Sequence, residues 1–145
     1  DYVLIDAAAG VGDEVEAAVE ASDEILLVSK PELPSLTNTL GAKELADQKD
    51  RDVIGLVLNE VRDENHEVEH EDIKELVGED VIGRVPDHEH VREAIALRNP
   101  VVSYKPESRA SHAIEDVAYK MRGEEPPERG LGTKIRYKMD EIDLI

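Results

Sequence analysis

The sequence predicts an α/β fold: a doubly wound, mostly parallel sheet with helices on both faces. Three observations carry that expectation. Apolar runs of strand length recur at Tyr2–Ile5, Ile25–Val28, Val53–Leu58 and Val81–Val85, and unbroken runs of this kind belong to strands buried on both faces. Stretches with the apolar spacing of helices lie between them. Strands that alternate with helices require successive right-handed crossovers, which wind a parallel sheet. A length of 145 residues suits about one domain with its own core.

The first run ends in an acid and a small-residue loop, Asp6-Ala7-Ala8-Ala9-Gly10. In open parallel sheets ligands sit beyond the carboxyl ends of the strands. A carboxylate there can hold Mg²⁺ directly or through water, and a glycine lets a backbone N–H approach a phosphate. Asp6 and Gly10 are therefore candidates for a metal and phosphate site of the Walker B kind. A buried strand that happens to end in Asp fits the same residues. Asp13 is placed as the N-cap of a helix carrying Val15, Ala18 and Val19 on one face.

After the second run, Pro31 and Pro34 forbid continuation of the strand. Ser35 is expected to cap a helix through Leu36, Leu40 and Leu45, and the third run ends at Asn59. Residues 60–80 hold ten acids against Arg62 and Lys74. Their first half reads as a solvated loop, their second half as a short helix on Ile73, Leu76 and Val77 stopped by Gly78. Pro86 ends the fourth run. Val91, Ala94 and Ile95 mark the next helix, Pro100-Val101-Val102 a short extended piece, and Ser108 opens a strong helix stopped by Gly123. From Glu124 the composition changes to a proline-containing acidic linker and a tail. Residues 1–123 are thus assigned to the domain and 124–145 to linker and tail.

Composition narrows the function classes. The absence of cysteine excludes a disulfide framework, a thiolate metal site and a Cys nucleophile. Aromatic residues make up only 3%, without Phe or Trp, so the core must be built from Val, Ile, Leu and Ala. A formal charge of −18 repels phosphate backbones and anionic lipids, so nucleic-acid binding is not expected. The acidity fits either adaptation to a salty cytoplasm or an ordinary acidic protein. No apolar run long enough to span a bilayer and no signal peptide occurs in the sequence, and a cytoplasmic location is the expectation.

Four ordered segments carry a family resemblance. They are Val3-Leu4-Ile5-Asp6 through Ala9-Gly10, then Lys30-Pro31-Glu32-Leu33-Pro34-Ser35-Leu36, then Leu58-Asn59-Glu60-Val61-Arg62, and finally Gly83 to Ala94 with Val85-Pro86-Asp87 and Val91-Arg92. In order and spacing they resemble the Walker B region, the Asn-Pro-Glu-x-x-Ser segment, the strand-ending Asn and the Gly-x-Ile-Pro-Glu-Asp-x-x-Val-Arg-x-Ala block of the MinD/ParA deviant-Walker ATPases. Asn99-Pro100-Val101-Val102 and Ser108-Arg109-Ala110-Ser111 continue the likeness. Ala8 stands where the family usually has proline, and Lys30 where it usually has Asn.

No Gly-x-x-x-x-Gly-Lys-Ser/Thr phosphate loop occurs in the chain, which looks like the carboxyl-terminal part of a larger P-loop ATPase and is expected to be inactive alone. For the intact protein the resemblance implies ATP and Mg²⁺ as cofactors. It implies that Asp6 orients the metal's water shell, that Gly10 senses the γ-phosphate, and that Asn59 with Pro86 and Asp87 borders adenine. It further implies an ATP-dependent homodimer with Glu32 at the interface, a regulator or cargo protein as partner, and hydrolysis as a switch in division-site or cargo positioning. Three alternatives stay open. Glu32 fits a proline-shaped turn, Asn59 fits a strand end bonded to its own backbone, and the whole chain fits a nucleotide-free α/β interaction module.

Other patterns are weaker. His66-Glu67-Val68-Glu69-His70 matches the zinc-protease spacing, but acids flank it and Val68 is its only apolar residue, whereas such sites need an apolar-faced helix beside a cleft. His88 and His90 are read as decorating a loop and helix start. In Gly130-Leu131-Gly132-Thr133-Lys134 the Lys-Thr order of a phosphate loop is reversed. In the tail, Leu131, Ile135, Met139 and Ile142 could share a helical face beside Lys134, Arg136 and Lys138. Asp140, Glu141 and Asp143 cancel that charge, so peripheral membrane contact has little support and a disordered or partner-binding tail is favoured.

Overall fold

The computed structural model describes residues 2–133 and 137. The chain divides into two compact units, residues 1–84 and 85–145. Helix α1 (Asp13–Ala21) is followed by β1 (Glu24–Ser29), α2 (Leu33–Gln48), β2 (Asp52–Val61), α3 (His70–Val77) and β3 (Val81–Pro86). The three strands form one parallel sheet in the order β1-β2-β3. Pairing of β1 with β2 runs from Glu24 opposite Asp52 to Ser29 opposite Leu58, with an irregularity between Ile25 and Leu26. The expected α/β class is therefore observed.

Apolar side chains from both layers meet between the helices and the sheet. Leu27, Leu56, Leu58 and Val61 from the strands pack with Leu36, Ile73 and Val77 from α2 and α3. Each contributes about 1.5–3 kcal/mol by leaving water. Gly55 sits in this region at φ +143°, and a Cβ built on it would lie 2.6 Å from Ile82 Cγ2 and 3.0 Å from the Asp80 carbonyl oxygen. The Leu56 N–H donates to that same carbonyl at 2.9 Å. Glycine is required there because the chain passes too close for any side chain.

Gly78 ends α3 in the left-handed conformation at φ +77°, its N–H donating to the Lys74 carbonyl, as the sequence indicates. The start of α2 differs from expectation. It begins at Leu33 with Pro34 in its first turn, where a missing N–H costs nothing. Ser35 Oγ instead accepts from the Lys30 N–H at 3.0 Å. Helix α1 likewise begins at Asp13, so Gly12 and not Asp13 is the capping residue.

Residues 2–9 are a larger correction. They carry no regular structure and are exposed throughout, with Val3 at 88% and Leu4 at 78% of full exposure. The expected buried strand is absent because a parallel strand exists only through a ladder to a neighbour. Among the described residues, the sheet contains only β1, β2 and β3.

In the second unit, α4 (Glu89–Ala96), α5 (Val101–Tyr104) and α6 (Arg109–Met121) follow one another. Residues 101–104 are helical, not extended as expected, because Pro100 serves as the residue before a short helix and fits the start of one. Ser108 caps α6 as predicted, accepting from the Ser111 N–H. Ser111, fully buried, donates to the Lys105 carbonyl at 2.7 Å and bonds the Val101 carbonyl at 3.1 Å, which ties α5 to α6. Arg129 Nη1 reaches both Asp116 oxygens at 2.7 Å, and Nη2 donates to the His112 carbonyl at 3.0 Å. These bonds draw the segment after the prolines back to α6. The tail residues Lys134, Ile135, Arg136, Lys138, Met139 and Ile142 lie outside the described residues. Among the described residues, no helix is long and apolar enough to cross a membrane.

Candidate functional site

In a parallel sheet every strand delivers its carboxyl end to the same rim. Ser29 ends β1, and Lys30-Pro31-Glu32 follows it. Asn59 lies three residues from the start of the turn that leaves β2 for Asp63, half-buried between core and rim. Pro86 is the last residue of β3, followed by Asp87, whose carboxylate is held by Arg92. Glu32 is exposed at the entrance of α2.

Asp6 and Gly10 stand apart from this pattern. Asp6 is exposed on the segment without regular structure, and Gly10 has φ +107° with open space where a Cβ would be. Among the described residues, no group of three or more His, Cys, Asp or Glu side chains could hold a metal ion. Asp6 thus brings a single carboxylate, which suits a metal held mainly by water and phosphate oxygens. The base end differs, because the Asn59 amide has one acceptor and two donors, the pattern that can pair with the amino group and a ring nitrogen of adenine.

The rim is stitched by a polar network that the sequence did not announce. Ser29 Oγ and Ser35 Oγ are 3.0 Å apart, and Lys30 Nζ lies 2.6 Å from Glu60 Oε2. Bonding to Glu60 holds the Lys30 ammonium above the usual lysine range. The Pro31 carbonyl accepts from the Val68 N–H at 2.9 Å. Glu67 accepts from the N–H groups of Arg62 and Asp63 at 2.8 and 2.9 Å, and Arg84 Nη2 lies 2.6 Å from Asp63 Oδ1. The signal for Lys30 with Glu60 was register: Ser29 opposite Leu58 brings Lys30, just past β1, beside the last residues of β2.

The zinc-protease spacing fails on the same residues. His66 lies in a turn, whereas α3 begins only at His70, so the two imidazoles do not share a helix face. Glu67 is spent on backbone N–H groups. His88 caps α4 through Nδ1, which accepts from the His90 N–H at 3.2 Å, in line with the helix-start reading.

The AAA domain family matches residues 15–94. An uncharacterized ATP-binding protein of Methanocaldococcus jannaschii is 33% identical over 123 residues, covering 85% of this chain and 47% of the relative. The cell division ATPase MinD of Pyrococcus furiosus superposes with a TM-score of 0.79 at 27% identity, covering 85% of this chain and 52% of that one. The MinC:MinD cell division protein complex of Aquifex aeolicus gives a TM-score of 0.79 at 26% identity, over 90% of this chain and 55% of that one. The chain spans about half the length of the curated relatives it matches. With an AAA-domain match over most of the strand-and-helix succession and MinD proteins among its structural neighbours, the chain belongs to the MinD/ParA family of P-loop ATPases.

Proposed function

We propose that residues 1–123 supply the base-binding and dimer-facing part of a MinD-like switch ATPase, whose phosphate loop lies in polypeptide outside these 145 residues. One observation carries the reading: Pro31-Glu32 lie just beyond β1, Asn59 lies among the last residues of β2, and Pro86-Asp87 close β3, all strands of one parallel sheet. That is the rim where ligands bind in open α/β sheets. The ATP-binding name of the M. jannaschii relative supports a nucleotide, and the MinC:MinD complex supports a protein partner for the assembled dimer.

In this proposal Asn59 reads the adenine edge, with Pro86 and Asp87 bordering the base. Glu32, exposed before α2, faces the second subunit. Asp6 and Gly10 take up their roles toward Mg²⁺ and the γ-phosphate only with a sheet partner and phosphate loop from outside these residues. Bound Mg²⁺ would neutralise triphosphate charge. ATP-dependent dimerisation would then work as a switch in division-site or cargo positioning.

A second reading, a nucleotide-free interaction module, is favoured by the exposed Asp6. Calorimetry with ATP and Mg²⁺ separates the two. The 145-residue chain should show no saturable binding, since it lacks the row of N–H donors and the lysine that a triphosphate needs. The full-length protein should bind ATP, and Asn59→Ala should weaken it by about 1–2 kcal/mol while lowering its preference over GTP. A full-length protein that does not bind establishes the module, whereas micromolar binding by residues 1–145 would place a phosphate site within them.

A further inference from the structure

Two acidic residues around the end of β2 lie in the left-handed backbone region, Glu60 at φ +56° within the strand's last residues and Asp63 at φ +56° in the turn beyond it. Residues with a Cβ avoid this region because the Cβ crowds a neighbouring carbonyl. Each of the two carboxylates is held by a cation from an adjacent strand. Lys30, just beyond β1, lies 2.6 Å from Glu60, and Arg84, on β3, lies 2.6 Å from Asp63. Between them Glu67 accepts from the N–H groups of Arg62 and Asp63. Lys30 is itself anchored, its N–H donating to Ser35 Oγ at 3.0 Å. The left-handed residue interrupts the strand's alternation and returns Val61 to the core at 5% exposure. Asn59 is the residue immediately before that reversal.

We propose that Lys30 and Arg84 are positioning residues for base recognition: by holding Glu60 and Asp63 in the left-handed conformation on either side of the end of β2, they fix the direction in which Asn59 presents its amide. The inference rests on the base-reading role proposed for Asn59. Two cations grip the end of one strand from opposite sides, Lys30 from the β1 side and Arg84 from the β3 side. Both pairs are partly exposed, with side-chain exposures of 45% and 39% for Lys30 and Glu60 and 43% and 71% for Arg84 and Asp63, so each supplies a modest bias.

The test compares Lys30→Met, Arg84→Met and Asn59→Ala. In the full-length protein, either methionine variant should lower the ratio of ATP to GTP affinity by about two- to fivefold, the range an exposed pair supports. The melting temperature should barely change, and Lys30→Arg should restore the ratio. In a Glu60→Gly background, which removes the carboxylate that Lys30 holds and the Cβ strained by the left-handed backbone, Lys30→Met should have no further effect. An unchanged ratio in both methionine variants, in a protein whose ratio does fall with Asn59→Ala, overturns the proposal.

If Asn59→Ala leaves the ratio unchanged, the base-reading role itself has failed, and amide exchange in the labelled 145-residue chain decides the remainder. Faster exchange at Arg62 and Asp63 in both methionine variants upholds the clamp on the turn. Unchanged exchange overturns it.

Discussion

Single residues in this protein are decided by how closely backbones approach. Gly55 combines φ +143° with a site where a Cβ would stand 2.6 Å from Ile82 Cγ2 and 3.0 Å from the Asp80 oxygen. A substitution must therefore strain the backbone and push β2 away from β3. Gly55→Ala should cost about 2–4 kcal/mol, the sum of a left-handed penalty and overpacking in a closed core, read as a lower urea midpoint at constant slope. Gly12 and Gly130, with open space where a Cβ would be, offer no such steric reason. Nothing in the Val53–Leu58 run revealed this requirement, because a glycine inside an apolar run is silent until the neighbouring strand is in register. The Lys30–Glu60 pair was hidden for the same reason. By contrast, the end of β3 at Pro86 was legible, since an apolar run stops there, whereas β2 runs on to Val61, past the Asn59 at which its apolar run stops.

Elements are held by contacts whose pH dependence can be worked out. Lys49, at the end of α2, lies 2.5 Å from Glu16 and 2.6 Å from Glu20 on α1. Those carboxylates hold Lys49 above its usual range, and Lys49 holds Glu20 below its own. A lowered carboxylate pKa gives stability that is present above the ordinary value and lost as pH falls through the folded one. A raised lysine pKa gives stability present below the ordinary value and lost as pH rises through the folded one. The stability difference between the wild type and Lys49→Met should therefore be level across neutral pH and vanish at both extremes, in denaturant melts at several pH values. A difference that persists at pH about 2 would assign it to lost packing of the lysine stem. Local signals located α3, α6 and their ends, since Gly78 and Ser108 act through neighbouring residues. They failed for residues 2–6, where an apolar run satisfied the strand pattern but a strand also needs a partner ladder, which no local sequence encodes.

At the scale of the whole molecule, charge outweighs any single pair. Acids number 35 against 17 lysines and arginines, so 35 minus 17 leaves at least 18 carboxylates without a lysine or arginine of their own. The described pairs already engage Lys30, Lys43, Lys49, Lys74, Arg84, Arg92, Arg122 and Arg129. The excess carboxylates repel one another over the folded surface and relax on unfolding, which lowers stability in dilute buffer. Salt weakens the attractive pairs and the repulsion alike, and the screening length falls from about 10 Å at 0.1 M to about 3 Å at 1 M. Attraction acts mostly across single contacts of 2.5–2.7 Å, within the screening length at either concentration. Repulsion among spread carboxylates acts over longer distances and is screened first. Added NaCl should therefore raise the urea midpoint steadily up to about 1 M, urea being uncharged and neutral in this competition. If the midpoint is flat or falls, and the chain is fully folded in dilute buffer, the local pairs outweigh the net charge. Its acidity then owes nothing to adaptation to salt.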